Sequence, residues 1–379
     1  MNRIYLDHAA TTPVHEQVVQ AMLPYMEQHF GNPSSIHAFG REAKAALNRA
    51  RKSIAERLGI SPQELIFTSG GTEADNLAVL GTALARQDRG KHIITSQVEH
   101  HAVLNACERL EALGFEVTYL PVDQYGAVRS ADVREAVRPD TILVSLMYGN
   151  NEVGTLQPVQ DIGEFLREKD IVLHTDAVQA LGTVPLDFGR LPVDLASISS
   201  HKINGPKGVG ALYVSADVPL EPLFYGGAQE RTKRPGTENI PGIVGFAEAV
   251  RLVHEHLEDR RSVYLTYRQN MLAILKEEGI VYRLNGHPEQ CLPHIINLSF
   301  EGVQADTLLM NLDLEGVAAS SGSACTAGAL QPSHVILAMH ADEKRAGSAI
   351  RFSFGLGNTR EQVEEAARKA ARIIRRVRR

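Results

Sequence analysis

Apolar residues in this chain recur in two alternating rhythms. Short runs rich in branched side chains, Leu65-Ile66-Phe67-Thr68, His92 to Thr95, Glu116 to Leu120, Thr141 to Leu146, Ile171 to His174 and Val209 to Val214, predict buried strands. Between several of them the apolar positions fall at helical spacing. Arg41 to Leu58 carries Ala43, Ala46, Leu47, Ala50, Ile54 and Leu58 and stops at Gly59. Glu73 to Leu84, Ala102 to Leu113 and Gln160 to Lys169 follow the same rule. Strand and helix in alternation predict an α/β fold, a mainly parallel sheet covered by helices, with functional groups at the carboxyl ends of the strands. After about Val250 the pattern changes to one long polar helix, Ala247 to Glu278, followed by a smaller unit. The last helix opens on a capping box, Thr359 with Gln362, and runs from early glutamates to late arginines, in the sense the helix dipole favours.

A length of 379 residues predicts two domains rather than one core. Hydrophobic content of 44% and charged content of 22% are those of a globular protein, and a net charge of −6 gives no reason to expect direct contact with nucleic acid or an anionic membrane. The opening MNRIYLDHAA has no basic-then-apolar signal pattern, and no apolar run reaches membrane-spanning length. Cys107, Cys291 and Cys325 are too few and too scattered for a disulfide framework, which suits a reducing cytoplasm.

The densest chemical signal lies between Asp176 and Lys202. Asp176 and Gln179 follow the strand ending at His174, and Lys202 follows Ser199-Ser200-His201 ahead of the turn Gly205-Pro206-Lys207-Gly208. A lysine fixed between two strands, near an acid at a neighbouring strand end, is the arrangement a pyridoxal phosphate site needs. The amine forms a Schiff base with the cofactor aldehyde, and the carboxylate keeps the ring nitrogen protonated so that the ring accepts electrons. Ser69-Gly70-Gly71-Thr72 joins a strand to a helix and offers backbone N–H groups, a helix N-terminus and a hydroxyl to an anion; Ser199 and His201 strengthen that reading as a phosphate cradle. His100 opens a helix where it can stack on a ring or move a proton. His174-Thr175-Asp176 is half of a metal-site pattern, but with no HExxH run and no cysteine near these histidines no metal is expected.

These residues carry a resemblance. YLDHAATTP (5–13), GNPSSIHAFG (31–40), FTSGGTEADNLAV (67–79), NNEVGTLQP (150–158), HTDAVQALG (174–182), SSHKINGPKGVGALYV (199–214), RPGTEN (234–239), SGSACTAG (321–328) and SAIRFSFG (348–355) span the chain. Together they resemble cysteine desulfurases of the NifS/IscS type, in the class V aminotransferase group of fold-type I pyridoxal phosphate enzymes. The resemblance implies a large cofactor-binding domain over 15–255, and a smaller α/β domain from 1–14 with 256–379 that carries a mobile cysteine loop.

It also implies roles. Lys202 matches the cofactor lysine, Asp176 the partner of the ring nitrogen, Gln179 that of the phenolic oxygen, and His100 the ring-stacking residue. Gly71, Thr72, Ser199 and His201 match the phosphate site, and Thr237 matches a phosphate contact from the other subunit of a homodimer. Asn32, Asn151 and Arg351 match residues that hold the substrate carboxylate, Asn151 also lying against the cofactor. Cys325 matches the nucleophile that takes sulfur from L-cysteine as a persulfide, leaving alanine; its small, glycine- and serine-rich surroundings suit a loop that moves. The thiolate is the reactive form, and His100 is the candidate base. A selenocysteine lyase and a class V aminotransferase share much of this pattern and stay open, as does a catalytically silent sulfur-carrier scaffold. The chain ends at Arg379 without the longer tail of some members, which leaves delivery to tRNA thiolation enzymes as open as delivery to iron–sulfur scaffolds.

Overall fold

The computed structural model describes residues 3–322 and 332–378. Its largest sheet has seven strands, β1 (Leu65–Thr68), β2 (His92–Ser96), β3 (Glu116–Leu120), β4 (Thr141–Ser145), β5 (Val172–Asp176), β6 (Leu195–Ser199) and β7 (Gly210–Val214). Their order is β1-β7-β6-β5-β4-β2-β3. Neighbours from β6 to β3 are parallel, while β7 is antiparallel to both β6 and β1. The connection from Ser199 to Gly210 explains the reversal: a parallel return needs a crossover of about a dozen residues or more, usually helical, and only a turn of 3₁₀ helix, Ser200–Lys202, fits here. Because β1 is antiparallel to an antiparallel strand, it runs in the same direction as β2 to β6.

Both faces of this sheet are covered. Leu65, Phe67, Ile94, Val144 and Leu173 point into a core formed with the helices Ala38–Arg57, Val159–Arg167 and Ile240–Glu255. Their neighbours Ile66, Ile93, Leu143 and Val172 point the other way, onto the helical segment 71–85 and the helix His101–Glu111. That two-faced burial is why the strands read as continuous apolar runs. The segment 71–85 is not a uniform helix: Leu77–Gly81 forms a π turn, at a point where a Cβ on Gly81 would sit 2.7 Å from the Glu221 carbonyl oxygen.

A second core surrounds an antiparallel sheet of β8 (Arg283–Asn285), β9 (Ile295–Ser299) and β10 (Ala349–Ser353), in the order β10-β9-β8. The helices Leu257–Glu277, Ala305–Leu314 and Arg360–Val377 supply its other walls. In the last of these Val363, Ala366, Ala367, Ala370, Ala371 and Ile374 form the buried stripe. Its capping box forms as read from the sequence, with Thr359 Oγ1 accepting from Gln362 N and Gln362 Oε1 accepting from Thr359 N.

The single long helix expected over Ala247 to Glu278 is two helices, Ile240–Glu255 and Leu257–Glu277, broken at His256, whose φ of −112° and ψ of 20° leave the helical region. Ile243, Phe246 and Val250 of the first belong to the large core, whereas Tyr264, Met271 and Leu275 of the second belong to the small one. Each stripe faces a different core, so the axis has to turn between them.

Candidate active site

The strands that share one direction end together. Thr68 of β1 leads into Gly71 and Thr72, β2 leads to His100, β4 to Asn151, β5 ends on Asp176, and β6 leads to Ser199 and Lys202. Gly71, Thr72, His100, Asn151, Asp176, Ser199 and Lys202 line a single cavity of about 160 Å³, closed by Arg351 from β10 and by Ala9 and Ala10 near the N-terminus.

Lys202 closes the 3₁₀ turn after β6 and reaches across to the N-terminal segment, where its Nζ donates to the carbonyl oxygens of Ala9 (2.5 Å) and Ala10 (2.8 Å). Asp176 is buried, and its Oδ1 accepts from Val178 N at 2.9 Å. Burial raises its pKa, while the charges of His100 and Lys202 pull the other way. Behind it lies Asp75, wholly buried, held well above the usual carboxylate range by burial and then by the charge of Asp176. His174 Nε2 is 3.6 Å from Asp75 Oδ1, but this is no ion pair. The imidazole is bonded to Ser145 and Ser197 hydroxyls at 2.8 and 3.0 Å, and burial pushes it down to about 3, so it is neutral. Glu99 completes the buried group; its carboxylate accepts from Ser96 Oγ and Met147 N, and burial pushes it up to about 8.

One part of the cavity is built for an anion. Gly71 and Thr72 open the helical segment 71–85, and a Cβ on Gly71 would meet Val178 Cγ2 at 2.8 Å, so a side chain here would close the cradle. Ser199 Oγ is buried with no hydrogen-bond partner among the described residues, a donor waiting for an acceptor. His201 shares its Nδ1 with Thr11 Oγ1 at 3.2 Å and is pushed down to about 4, by burial first and by the charges of Lys202 and Lys207. His100 caps the helix His101–Glu111, its Nδ1 accepting from Ala102 N at 3.1 Å, which places the proton of a neutral ring on Nε2.

Arg351 is 1% exposed, unusual for a guanidinium. It donates to Asn151 O and to Asp7 Oδ1, both at 2.9 Å, and its Nε is buried without a partner among the described residues. Of the residues singled out from sequence, Gly71, Thr72, His100, Asn151, Asp176, Gln179, Ser199, His201, Lys202 and Arg351 therefore meet on one cavity. Asn32 and Thr237 do not: both are exposed, and the Asn32 side chain accepts from Ser34 N at 2.9 Å. Cys325 lies outside the described residues; Ser320, just before its run, exchanges backbone hydrogen bonds with Arg351. The sequence reading missed Asp7, Ala9, Asp75 and Glu99. Asp75 had a signal, since it stands three positions after Thr72 in the helix and so shares its face; a backbone carbonyl such as that of Ala9 has none.

The model of the family described as "Aminotransferase class-V" matches residues 4–365. The chain belongs to that class-V aminotransferase family. Among relatives of this family, the "Putative cysteine desulfurase IscS 1" of Bacillus subtilis (strain 168) is 55% identical over 378 residues, covering 100% of both chains. A solved structure named "NIFS-LIKE PROTEIN" superposes with a TM-score of 0.93 at 38% identity, over 99% of this chain and 100% of its own. Another, "SspA in complex with cysteine", gives a TM-score of 0.82 at 37% identity, over 93% and 99%. The fold-type expectation, a mainly parallel sheet with a smaller second unit, agrees with these relatives.

Proposed function

We propose that this class-V family member is a pyridoxal phosphate-dependent cysteine desulfurase. The observation that carries the reading is the meeting of Lys202, Asp176 and Arg351 on one cavity, beside a buried anion cradle, in a chain whose full-length relatives bear that name. The residues present fit the cofactor. Ser199 Oγ and the N-terminal turn at Gly71 and Thr72 offer unclaimed donors to a phosphate, and Asp176 lines the same cavity, where it would be the partner for a ring nitrogen. When bound, pyridoxal phosphate supplies an electron sink that lets bonds at the substrate's α- and β-carbons open.

The chain's own groups divide the remaining work. Lys202 would hold the cofactor through its amine, and its Nζ is the group that would take up and return the Cα proton. Asp176 would keep a proton on the ring nitrogen, whose positive charge would oppose the rise in the Asp176 pKa that burial causes. Gln179 would donate to the phenolic oxygen, and His100 would stack on the ring. Arg351 would clamp the substrate carboxylate with N–H groups not committed to Asp7 and Asn151, helped by Asn151. Cys325 takes the sulfur: L-cysteine and the Cys325 thiol become alanine and a Cys325 persulfide, with no outside oxidant or reductant. His100 is the proposed base for that thiol. The exposed Thr237 suits a contact made across a homodimer, and the persulfide passes to an acceptor protein that serves iron–sulfur cluster assembly or tRNA thiolation. No helix among the described residues is long and apolar enough to cross a membrane, and Cys107 and Cys291 are unpaired, in keeping with a reducing cytoplasm.

Borohydride reduction of the purified protein, followed by peptide mass spectrometry, tests the cofactor assignment. The expected product is one pyridoxyl group on Lys202. A protein that takes up pyridoxal phosphate but carries the reduced adduct on another lysine would overturn the assignment.

A further inference from the structure

His294 lies in CLPHIINLSF, a run to which the sequence reading gave no role. It is buried at the start of β9, and its Nε2 stands 3.2 Å from Gln179 Oε1. On its other side Gln179 donates through Nε2 to the Ala9 carbonyl oxygen at 2.8 Å, the same oxygen that accepts Lys202 Nζ. These contacts decide both the orientation of the amide and the tautomer of the histidine. The Ala9 oxygen only accepts, so the amide nitrogen must face it; the flipped amide would set two oxygens 2.8 Å apart. Oε1 then faces His294, and the imidazole must donate from Nε2. Nδ1 is buried with no partner among the described residues, so the opposite tautomer would strand a buried N–H and oppose lone pairs at Gln179. Burial pushes His294 down to about 3, and the facing Arg260, His8, Arg351 and Lys202 add to the effect. The ring is neutral and has one hydrogen to give. Tyr264, with ring centroids 6.3 Å apart, packs beside it.

We propose that His294 is the positioning residue for Gln179: its Nε2–H pins the carboxamide oxygen, which commits one amide hydrogen to Ala9 and leaves the other for the phenolic oxygen of pyridoxal phosphate. The proposal rests on the cofactor reading above. Without the pin only the Ala9 oxygen holds the amide, and Gln179 is free to swing about that contact and withdraw its second hydrogen from the phenolic oxygen.

The test compares His294→Phe, which fills the space without a donor, with His294→Gln, whose amide can still donate. Wild type and variants are loaded with pyridoxal phosphate, and the visible band of the bound cofactor is titrated with pH. A donor at the phenolic oxygen favours its ionised form, so losing it is expected to raise the midpoint by about one pH unit, tenfold in the equilibrium. His294→Phe should show that rise, with weaker cofactor binding to the stripped protein, and His294→Gln should stay near wild type. A His294→Phe midpoint equal to wild type, or equal shifts in both variants, would overturn the proposal and leave the cofactor reading intact. Failure of wild type to take up pyridoxal phosphate would overturn both. A second measurement needs no altered fold: in ¹⁵N-histidine-labelled wild type, the resonance missing from His294→Gln should carry its proton on Nε2. A proton on Nδ1 would refute the positioning role.

Discussion

Arg351→Lys separates substrate recognition from everything else at the site. The arginine commits one N–H of each terminal nitrogen to Asn151 O and Asp7 Oδ1, both at 2.9 Å, which leaves the other N–H of each for a ligand. A lysine preserves the buried charge opposite Asp7, so the fold is expected to survive. Its single ammonium group cannot satisfy Asp7 and also fork a carboxylate. A hydrogen bond to a charged partner contributes ~1.5–3 kcal/mol. Losing one such bond to the substrate carboxylate should therefore raise KM for L-cysteine by roughly 10- to 150-fold. Alanine formation at varied L-cysteine concentration reads that change. Inhibition by cysteamine, which has the same thiol and amine but no carboxylate, provides the control. The expected result is a large rise in KM for cysteine with inhibition by cysteamine essentially unchanged. If cysteine and cysteamine weakened in parallel, Arg351 would be acting on the cavity as a whole, and the carboxylate-clamp argument would be refuted.

Other consequences follow from single contacts. Cys325→Ser should abolish alanine formation from L-cysteine while the visible band of the bound cofactor persists; turnover near the wild-type rate would rule out a persulfide at this position. Glu230, 6% exposed, pairs with the buried Arg51 and accepts from Phe67 N at 2.9 Å, holding Glu230, Arg231 and Thr232 at positive φ. Glu230→Ala strands the Arg51 charge and should cost about 3–5 kcal/mol in urea unfolding, and a loss under about 1 kcal/mol would contradict the buried-pair argument. His8 and His201 are pushed down to about 4, and His174 and His294 to about 3. Their unfolded forms, near 6.5, bind protons first, so the stability they contribute is present above about pH 6.5 and is lost as pH falls toward 4. The raised carboxylates Asp75, Asp176 and Glu99 oppose that loss, so the imidazoles are read by difference: from pH 6.5 to 4.5 the urea midpoint of the wild type should decline relative to that of His8→Asn, and a constant difference would count against a buried neutral imidazole at His8.

Much of the cavity was legible because its residues sit at strand ends, and strands buried on both faces announce themselves as apolar runs. Asp176 closes β5 and Lys202 follows β6, so locating the strands located the site. The break at His256 was hidden, since the residues on either side share one helical period and only the two cores tell them apart. The antiparallel β7 was legible in principle, from a connection too short for a crossover. Ala9 reaches the cavity, and Asp7 and His294 reach its lining residues Arg351 and Gln179, from distant parts of the chain, through contacts that local patterning does not encode. Asn32 and Thr237 came from motif resemblance alone, and within one chain they stand apart from the cavity.

Transfer of sulfur from cysteine onto the protein itself is the reaction that sets a desulfurase apart. Its most direct measurement is to load purified protein with pyridoxal phosphate, add L-cysteine and a reductant, and quantify alanine and released sulfide together over many turnovers. Equal, catalytic yields of the two are expected. Alanine without sulfide, or neither product from a protein that holds its cofactor, would contradict the account.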